Sequence, residues 1–383
     1  MSVSVSVTFD GAPESGVIDF GVGQPSADLL PLRRVRAASE RFFAHAQPIE
    51  LNYGEKPGDA RFRTALAEFL SRAGGHAASA ESLFLTAGTS QALDFVCHRF
   101  TRPGDTVFVE DPTYFLAFQV FWDHGLDIVG IPMDGQGMDL EVLEREVARR
   151  RPKLVYTIPS FNNPTGQTLS HERRERLVRL SVQHDFLIVA DEVYQLLHYA
   201  EPPPPALGTW VDRGNVLSLG SFSKIVAPGM RLGWIQTDAA RIRHLLASGA
   251  IISGGCFNHF GSHVVRQMLE DGSLAELIAD LRRAYGARVA AMDEALHQHL
   301  GGVASWRKPE GGYFFWVSLR EGLDVEELKD AARAAGTGYQ PGSKCSTSGG
   351  MRNCLRLSFA FYNEPEIREG VARLGKALRA AAR

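Results

Sequence analysis

Short runs of apolar residues alternate with amphipathic stretches through the middle of the chain. Seven runs predict strands, namely Leu83–Leu85, Thr106–Glu110, Ile128–Pro132, Leu154–Ile158, Phe186–Ala190, Val216–Leu219 and Leu232–Gln236. The stretches that predict helices between them include Leu93–Phe100, Asp139–Arg151 and His171–His184. Strands that are apolar on both faces and separated by helices are typical of a parallel sheet covered on both sides. The pattern therefore predicts an α/β fold whose large domain has a mostly parallel, seven-stranded sheet.

The C-terminal third shows a different order of elements. It predicts, in order, a helix at 274–300, a strand at Tyr313–Leu319, a helix near 325–335, a strand at Cys354–Phe359 and a last helix from Pro365. Strands and helices that do not alternate regularly predict a smaller α+β domain. A helical pattern near the N-terminus, Val35–His45, is expected to join that domain. We expect three segments, namely an N-terminal arm with part of the small domain at 1–48, the large domain at 49–285 and the C-terminal small domain at 286–383.

Composition narrows the classes of protein. The chain has 41 Lys and Arg against 44 Asp and Glu, which gives a net charge of −3. Such a balance provides no cationic surface for nucleic acid or an anionic membrane, so we expect neither as a partner. The four cysteines lie far apart without ligand spacing, which predicts neither disulfides nor a metal site. The start lacks a signal-peptide pattern and no apolar run is long enough to span a membrane, so we expect a soluble cytoplasmic protein.

Polar residues of the kinds that take part in catalysis or ligand binding follow three of the apolar runs. They are Asn163 after Leu154–Ile158, Asp191 and Tyr194 after Phe186–Ala190, and Ser221, Ser223 and Lys224 after Val216–Leu219. Ligands of open α/β sheets bind outside the carboxyl ends of the strands. Taken alone, an acid at a strand end is often a helix cap, and a lysine after a strand is usually a solvated surface charge. Three such strand ends together indicate one functional site.

A fourth strand end has the features of an anion site. After Leu83–Leu85 the chain turns through Gly88 into a helix that begins near Thr89 and Ser90. Free N–H groups at a helix N-terminus bind anions such as phosphate, although an ordinary Ser/Thr cap has the same sequence pattern. We expect Arg231, which follows shortly after Lys224, to contact the same anion. A solvated surface arginine is the alternative.

An anion site, a lysine and an acid at neighbouring strand ends are what a pyridoxal phosphate enzyme requires. The segments Asn163–Gly166 (Asn-Pro-Thr-Gly), Asp191–Tyr194 (Asp-Glu-Val-Tyr) and Ser221–Arg231 stand in this order. With Gly21–Pro25 and Leu355–Leu357, they make the sequence resemble the class I and II aminotransferases of the fold-type-I pyridoxal phosphate family. Within that family it is most similar to the branch of 2-aminoadipate aminotransferases and the effector domains of MocR-type regulators. The resemblance covers most of the chain and implies that the large domain binds pyridoxal 5'-phosphate.

The resemblance also implies a role for each of the residues that match. Lys224 is then the catalytic lysine, which forms a Schiff base with the cofactor and moves the proton at the substrate Cα. Asp191 pairs with the ring nitrogen, while Tyr194 and Asn163 contact the ring oxygen. Tyr114 stacks on the ring, with packing in an aromatic helix as the alternative. The residues implied to hold the phosphate are Thr89, Ser90, Ser221, Ser223 and Arg231.

Three further positions concern the substrate and a second subunit. Arg356 matches the arginine that binds the substrate α-carboxylate, to which Asn163 also contributes. A charge flanked by apolar residues in a strand is expensive to bury alone, which independently indicates a ligand; an exposed strand face is the alternative. Gly23 matches a strip that closes over the substrate. Tyr53 resembles a tyrosine that reaches the phosphate of the neighbouring subunit, which implies a homodimer with shared active sites.

The loop at 340–350 departs from the family pattern. It carries Ser343, Lys344 and Cys345 where relatives commonly have an apolar or aromatic residue. Lys344 is either a contact for a polar substrate side chain or, as we prefer, a solvated loop lysine. The sequence therefore leaves the identity of the substrate open.

The leading interpretation is an aminotransferase that moves an amino group between an L-amino acid and a 2-oxo acid by a ping-pong mechanism through Lys224. The same residues also suit another reaction at the substrate Cα or Cβ, as in a racemase, lyase, decarboxylase or oxidase. A non-catalytic, MocR-like effector-binding module is the alternative from another class. Since no basic recognition element precedes Gly21, we rank that module below catalysis.

Overall fold

The computed structural model describes residues 16–381, so the first fifteen residues of the predicted N-terminal arm lie outside the described part. The α-helices of the described chain are α1 (Leu32–His45), α2 (Ala60–Gly74), α3 (Thr89–Phe100), α4 (Phe115–Asp123), α5 (Leu140–Arg150), α6 (His171–His184), α7 (Ala239–Leu246), α8 (Gly249–Gly254), α9 (His259–Glu270), α10 (Ser273–Leu300), α11 (Lys329–Ala334) and α12 (Glu364–Ala381). Its strands are β1 (Ile18–Asp19), β2 (Leu83–Thr86), β3 (Thr106–Asp111), β4 (Asp127–Asp134), β5 (Gly137–Met138), β6 (Leu154–Thr157), β7 (Leu187–Asp191), β8 (Val216–Ser221), β9 (Gly233–Gln236), β10 (Ala304–Trp306), β11 (Phe314–Leu319), β12 (Thr337–Gly338), β13 (Gln340–Pro341) and β14 (Cys354–Ser358).

A large mixed sheet forms the centre of the fold. Its eight strands lie in the order β2-β9-β8-β7-β6-β3-β4-β5. The strands from β8 through β4 are parallel to one another, whereas β9 runs antiparallel to both β2 and β8. All seven strands predicted from the sequence are present. The eighth, β5, is a two-residue strand antiparallel to β4, too short to produce an apolar run.

The turn between β2 and α3 sets the start of this helix near Thr89, as the sequence predicted. Gly88 is the N-cap residue and has φ +93°, a left-handed conformation that favours glycine. The helix therefore begins at Thr89, immediately after the turn. Its N-terminal N–H groups consequently face the same edge of the sheet as the carboxyl ends of the parallel strands.

A smaller antiparallel sheet belongs to the C-terminal part of the chain. Its four strands lie in the order β10-β11-β14-β13, and α10 packs along α12. The N-terminal segment joins this part of the molecule, because β1 pairs in parallel with β12. The strip after β1 is thereby carried past β14, towards the carboxyl ends of the large sheet. No helix within residues 16–381 is long and apolar enough to span a membrane.

Candidate active site

A cavity of about 600 Å³ lies where the carboxyl ends of the large sheet face β14 and the strip after β1. Eleven of the thirteen residues proposed from the sequence line it, namely Gly23, Thr89, Ser90, Tyr114, Asn163, Asp191, Tyr194, Ser223, Lys224, Arg231 and Arg356. Within the described chain, Ser221 and Tyr53 do not line this cavity. Elements that are distant in sequence thus meet at a single site.

Lys224 follows β8 and extends its amine into the cavity. Its Nζ donates to the Gly23 carbonyl oxygen at 3.3 Å and lies 5.2 Å from the centre of the Tyr313 ring. Burial lowers the pKa of the Lys224 amine to about 8, and the cationic Arg356 adds to this effect while Asp191 opposes it. About a tenth of the amine is therefore uncharged at pH 7, far more than for an ordinary lysine, as suits a nucleophile or base.

Asp191, the last residue of β7, is a buried acid with one free oxygen. Only 7% of its surface is exposed, and its Oδ2 accepts a 2.9 Å hydrogen bond from the Tyr156 hydroxyl. Its Oδ1 is buried and has no partner within the described residues. Burial raises the pKa of the Asp191 carboxyl to about 6, against the lowering effect of the Tyr156 hydrogen bond. Oδ1 is therefore available to a donor from a bound ligand.

The N-terminus of α3 and the Arg231 guanidinium form the anion-binding end of the cavity. Arg231 Nη2 donates to the Ala87 carbonyl oxygen at 3.0 Å, directly beside the helix N-terminus. A Cβ on Gly88 would lie 3.1 Å from this nitrogen, so the glycine makes the close approach possible. Ser223 also faces the cavity, whereas the Ser221 hydroxyl is buried and donates to Ser223 Oγ at 2.9 Å.

Arg356 lies on β14 with 3% of its surface exposed, so the alternative of an exposed strand face is excluded. Its Nη1 donates to Asn163 Oδ1 at 3.0 Å and its Nη2 donates to the Gly21 carbonyl oxygen at 2.8 Å. Its guanidinium also lies 4.2 Å from the centre of the Phe314 ring. No carboxylate of residues 16–381 forms an ion pair with it, and its buried Nε has no partner. This arrangement suits a carboxylate supplied by a ligand.

The aromatic residues and Asn163 complete the walls. Asn163 and Tyr194 are buried, and burial raises the pKa of the Tyr194 hydroxyl well above its usual value. Tyr114 immediately precedes α4, faces the cavity and has its pKa raised by burial to about 12. Both tyrosines consequently remain hydrogen-bond donors throughout the physiological range of pH.

Two buried residues that the sequence analysis did not identify hold the site in place. Tyr156 supports Asp191, as described above. Glu110 accepts hydrogen bonds from Thr157 Oγ1 at 2.6 Å, the Ile158 N–H at 2.9 Å and Asn162 Nδ2 at 2.7 Å. It thereby fixes the segment that leads to Asn163. Both Tyr156 and Glu110 are polar residues inside otherwise apolar strands, and this sequence feature could have indicated them.

The 340–350 loop brings further polar groups to the cavity. Lys344 lines it, and so do Gln340 and Lys329, which the sequence analysis did not select. Gln340 is the register partner of Arg356, and its Nε2 is buried without a partner within the described chain. The substrate side therefore carries more unpaired donors than the sequence suggested.

Tyr53 lies outside the cavity, with 82% of its surface exposed. Exposed Phe43 and Phe260 pack against each other on the same side of the chain, with ring centres 5.9 Å apart. Gly54, the residue after Tyr53, lies close to Gly255, which precedes α9 by a few residues. The two are so close that a Cβ on Gly255 would collide with the Gly54 carbonyl. The segment that carries Tyr53 thus lies against the chain just before α9, the helix that carries Phe260.

These features suit the cofactor that the resemblance implies. The unpaired Asp191 Oδ1 can accept from a protonated pyridine nitrogen, and the α3 N-terminus with Arg231 can hold a phosphate. Lys224 supplies the amine between them. The residues present therefore fit pyridoxal phosphate.

Comparisons with known proteins agree with the geometry. The sequence profile for aminotransferase class I and II matches residues 15–374. Aromatic-amino-acid aminotransferase 1 of Thermococcus litoralis is 35% identical over 370 residues, which cover 95% of this chain and 88% of the relative. The HTH-type transcriptional regulator YisV of Bacillus subtilis is 29% identical, over 94% of this chain and 73% of the regulator.

A solved structure gives the same result. LysN, the α-aminoadipate aminotransferase of Thermus thermophilus complexed with N-(5'-phosphopyridoxyl)-L-leucine, has a TM-score of 0.87 and 30% identity, and the match covers 96% of this chain and 93% of LysN. The chain therefore belongs to the class I and II aminotransferase family and is a pyridoxal-phosphate-dependent enzyme of fold type I.

Proposed function

We propose that this enzyme transfers an amino group from an L-amino acid to a 2-oxo acid in a ping-pong cycle. The observation that carries the proposal is the placement of three groups in one cavity. They are the Lys224 amine with its lowered pKa, the unpaired oxygen of Asp191, and the Arg356 guanidinium, which has no ion-pair partner among residues 16–381. They correspond to a base, an acid for the ring nitrogen and a binder for the substrate carboxylate.

The proposed cofactor contacts follow from the same geometry. Asp191 pairs with the ring nitrogen, Tyr194 and Asn163 contact the ring oxygen, and Tyr114 stacks on the ring face. The phosphate is held by Thr89, Ser90, Ser223 and Arg231, with Ser221 orienting Ser223 through their hydrogen bond. When bound, pyridoxal phosphate supplies an electron-withdrawing ring that stabilises negative charge at the substrate Cα.

Lys224 is proposed to move the proton in the reaction. Its amine, with a pKa lowered to about 8, accepts a proton from the substrate Cα and returns it on the cofactor side. Asp191, held by Tyr156, stays charged beside the protonated ring nitrogen. The ionic contact reverses the effect of burial on its pKa, because an adjacent positive charge favours the carboxylate.

Arg356 and Asn163 are proposed to orient the substrate. The Arg356 fork receives the α-carboxylate, while its contact with Asn163 links the carboxylate site to the ring site. Gly23 lies on the other side of the substrate, where a Cβ would approach the Phe314 ring to 3.3 Å. The absence of a side chain there leaves room for substrate.

We further propose that the enzyme is a homodimer in which Tyr53 reaches the phosphate of the neighbouring subunit. The Tyr53 side chain is exposed, and so are the packed rings of Phe43 and Phe260, as suits a subunit interface.

A single-turnover experiment tests the reaction. The holoenzyme is mixed with excess glutamate, phenylalanine or leucine in the absence of a 2-oxo acid. We expect about one equivalent of the corresponding 2-oxo acid per site, and renewed turnover when a second 2-oxo acid is added. Release of many equivalents without an acceptor would contradict transamination and indicate a lyase or oxidase. Lys224→Ala should release none, whereas Lys308→Ala, at an exposed lysine paired with Asp293, should behave as wild type.

A further inference from the structure

A second cavity, of about 430 Å³, lies behind the active site. Its floor is formed by Ser218 and Gly220 of β8 with Trp234 and Gln236 of β9, and its walls come from the end of α2 and the loop after β7. Val193 lines both cavities, whereas Lys224 and Arg356 line only the active site. Its volume is within the range of small-molecule sites. The pyridoxal phosphate site does not account for it.

The floor carries two polar side chains without partners. Trp234 and Gln236 are two residues apart on β9, so they share one face of the sheet. Trp234 is 6% exposed and Gln236 is 9% exposed, and neither side chain forms a hydrogen bond within residues 16–381. Because Gly220 opposes Trp234 in register and has no side chain, the indole can lie flat against the sheet. Both side chains line the cavity, so their donors are available to an acceptor on a ligand.

The wall of the cavity carries an unpaired cation. Arg282 on α10 donates from its Nε to the Leu196 carbonyl oxygen at 2.9 Å, and no carboxylate of the described chain pairs with its guanidinium. The next residue along the helix, Arg283, forms an ion pair with Asp280 instead and lies outside the cavity. The helix thus places one paired and one unpaired arginine side by side.

Other charges do not neutralise this cation. Glu192 lines the cavity, but its carboxylate is buried and accepts hydrogen bonds from the Ser218 hydroxyl and from the Leu207 and Gly208 N–H groups. At the rim, Arg72 lies 3.7 Å from Glu68, and both are exposed. The remaining lining has an apolar part, with Leu70, Leu196, Ile225, Pro202 and Pro205. It also has a polar part, with His76, Gln195, His198, Thr209 and Ser221.

We propose that the second cavity binds a small carboxylic acid with an apolar body. Its carboxylate pairs with Arg282, its apolar body packs against the leucine, isoleucine and proline walls, and its acceptor oxygens take the donors of the floor. An anion bound by a guanidinium inside an apolar enclosure forms a stronger contact than an exposed ion pair does.

Phenylacetate is a suitable probe, because it has the proposed chemistry and cannot undergo transamination. Its binding is measured by titration calorimetry on holoenzyme whose active site has been blocked with aminooxyacetate. Phenylacetate then cannot bind to Arg356, so the measured heat comes from other sites. We expect one site per chain, and at least tenfold weaker binding of the uncharged phenylacetamide. Equal binding of the two compounds would overturn the assignment of the charge, and no binding of phenylacetate would overturn the site.

Matched variants locate the binding. Arg282→Leu and Gln236→Leu should each weaken phenylacetate binding at least tenfold, whereas Arg283→Leu should leave it unchanged. All three should retain aminotransferase activity, which shows that they fold. If both cavity variants bind phenylacetate as wild type does, or if Arg283→Leu loses as much affinity as they do, phenylacetate binds outside the second cavity.

Discussion

The Tyr156 hydroxyl determines which oxygen of Asp191 faces the ligand. It donates to Oδ2 at 2.9 Å and leaves Oδ1 free, so the carboxylate is held in one orientation. A hydrogen bond to a charged group contributes about 1.5–3 kcal/mol. Tyr156 touches neither the substrate nor the proposed ring position, so it is a positioning residue.

Tyr156→Phe is expected to lower kcat/KM about tenfold to a hundredfold. Because the hydrogen bond lowers the pKa of Asp191, its loss raises that pKa, and the acidic limb of the pH–rate profile should move to higher pH. Steady-state rates from pH 5 to pH 9 measure both effects. Tyr199→Phe, which removes a hydroxyl bonded to the Gly312 carbonyl, is the control and should leave the limb in place. An unmoved limb in Tyr156→Phe would refute the positioning role.

Arg356→Lys should raise KM for the amino acid by about tenfold or more, with a smaller change in kcat. Lysine keeps the charge but lacks the planar fork that binds a carboxylate at two points. Initial rates over a range of amino acid concentrations separate the two constants. Arg352→Lys, at an exposed arginine paired with Asp324, should change neither constant. A fall in kcat alone would mean that Arg356 does not bind the substrate.

The segment between β6 and Asn163 is held by one buried carboxylate. Glu110 on β3 accepts three hydrogen bonds from this segment, so two neighbouring strands are joined at their carboxyl ends. Burial raises the pKa of Glu110 to about 7, from an ordinary value of 4.5. The folded chain therefore holds a proton there that the unfolded chain releases between these two values.

Glu110→Gln should change how stability depends on pH. Since the folded pKa is raised, the contribution of Glu110 is fully present below about pH 4.5 and is lost as the pH rises through about 7. We expect the variant to be less stable than wild type at pH 5, because its amide N–H₂ would face the groups that donate to Glu110. The difference in free energy of unfolding should shrink by on the order of 3 kcal/mol by pH 8. Urea unfolding at both pH values measures this. A constant difference, as expected for the exposed Glu144→Gln, would contradict it.

The strands were predictable from sequence because each central strand is buried on both faces and reads as an apolar run. The residues at their carboxyl ends were predictable for the same reason, since parallel strands end at one edge. The contacts of Tyr156 and Glu110 were not, because they depend on which strands become neighbours. The exposure of Gln340 to the cavity depends likewise on the register of β13 with β14.

The molecule as a whole exposes apolar residues where it is expected to meet a second copy. Phe43, Phe260 and Tyr53 are all exposed, and the last is the residue proposed to act in the neighbouring site. A shared site has a consequence for mixtures of variants, because each site then draws residues from both chains.

Lys224→Ala and Tyr53→Ala should each be nearly inactive alone and should complement each other in mixed dimers. Random reassociation makes half of the dimers mixed, and each mixed dimer has one intact site, so roughly a quarter of the wild-type activity should return. Refolding equal amounts of the two variants together and assaying the product measures this. If Tyr53 acts within its own chain, no activity returns.

The strip after β1 places two backbone carbonyls against the two cations of the active site. The Gly21 carbonyl accepts from Arg356 Nη2 and the Gly23 carbonyl accepts from Lys224 Nζ, at 2.8 Å and 3.3 Å. The chain thus carries its own competitor for the groups that a substrate must reach. A carboxylate displaces a neutral carbonyl from a guanidinium, because it brings a full negative charge and two acceptor oxygens. Amino acid amides and esters lack that charge, so we expect them to compete poorly with the backbone carbonyl for Arg356.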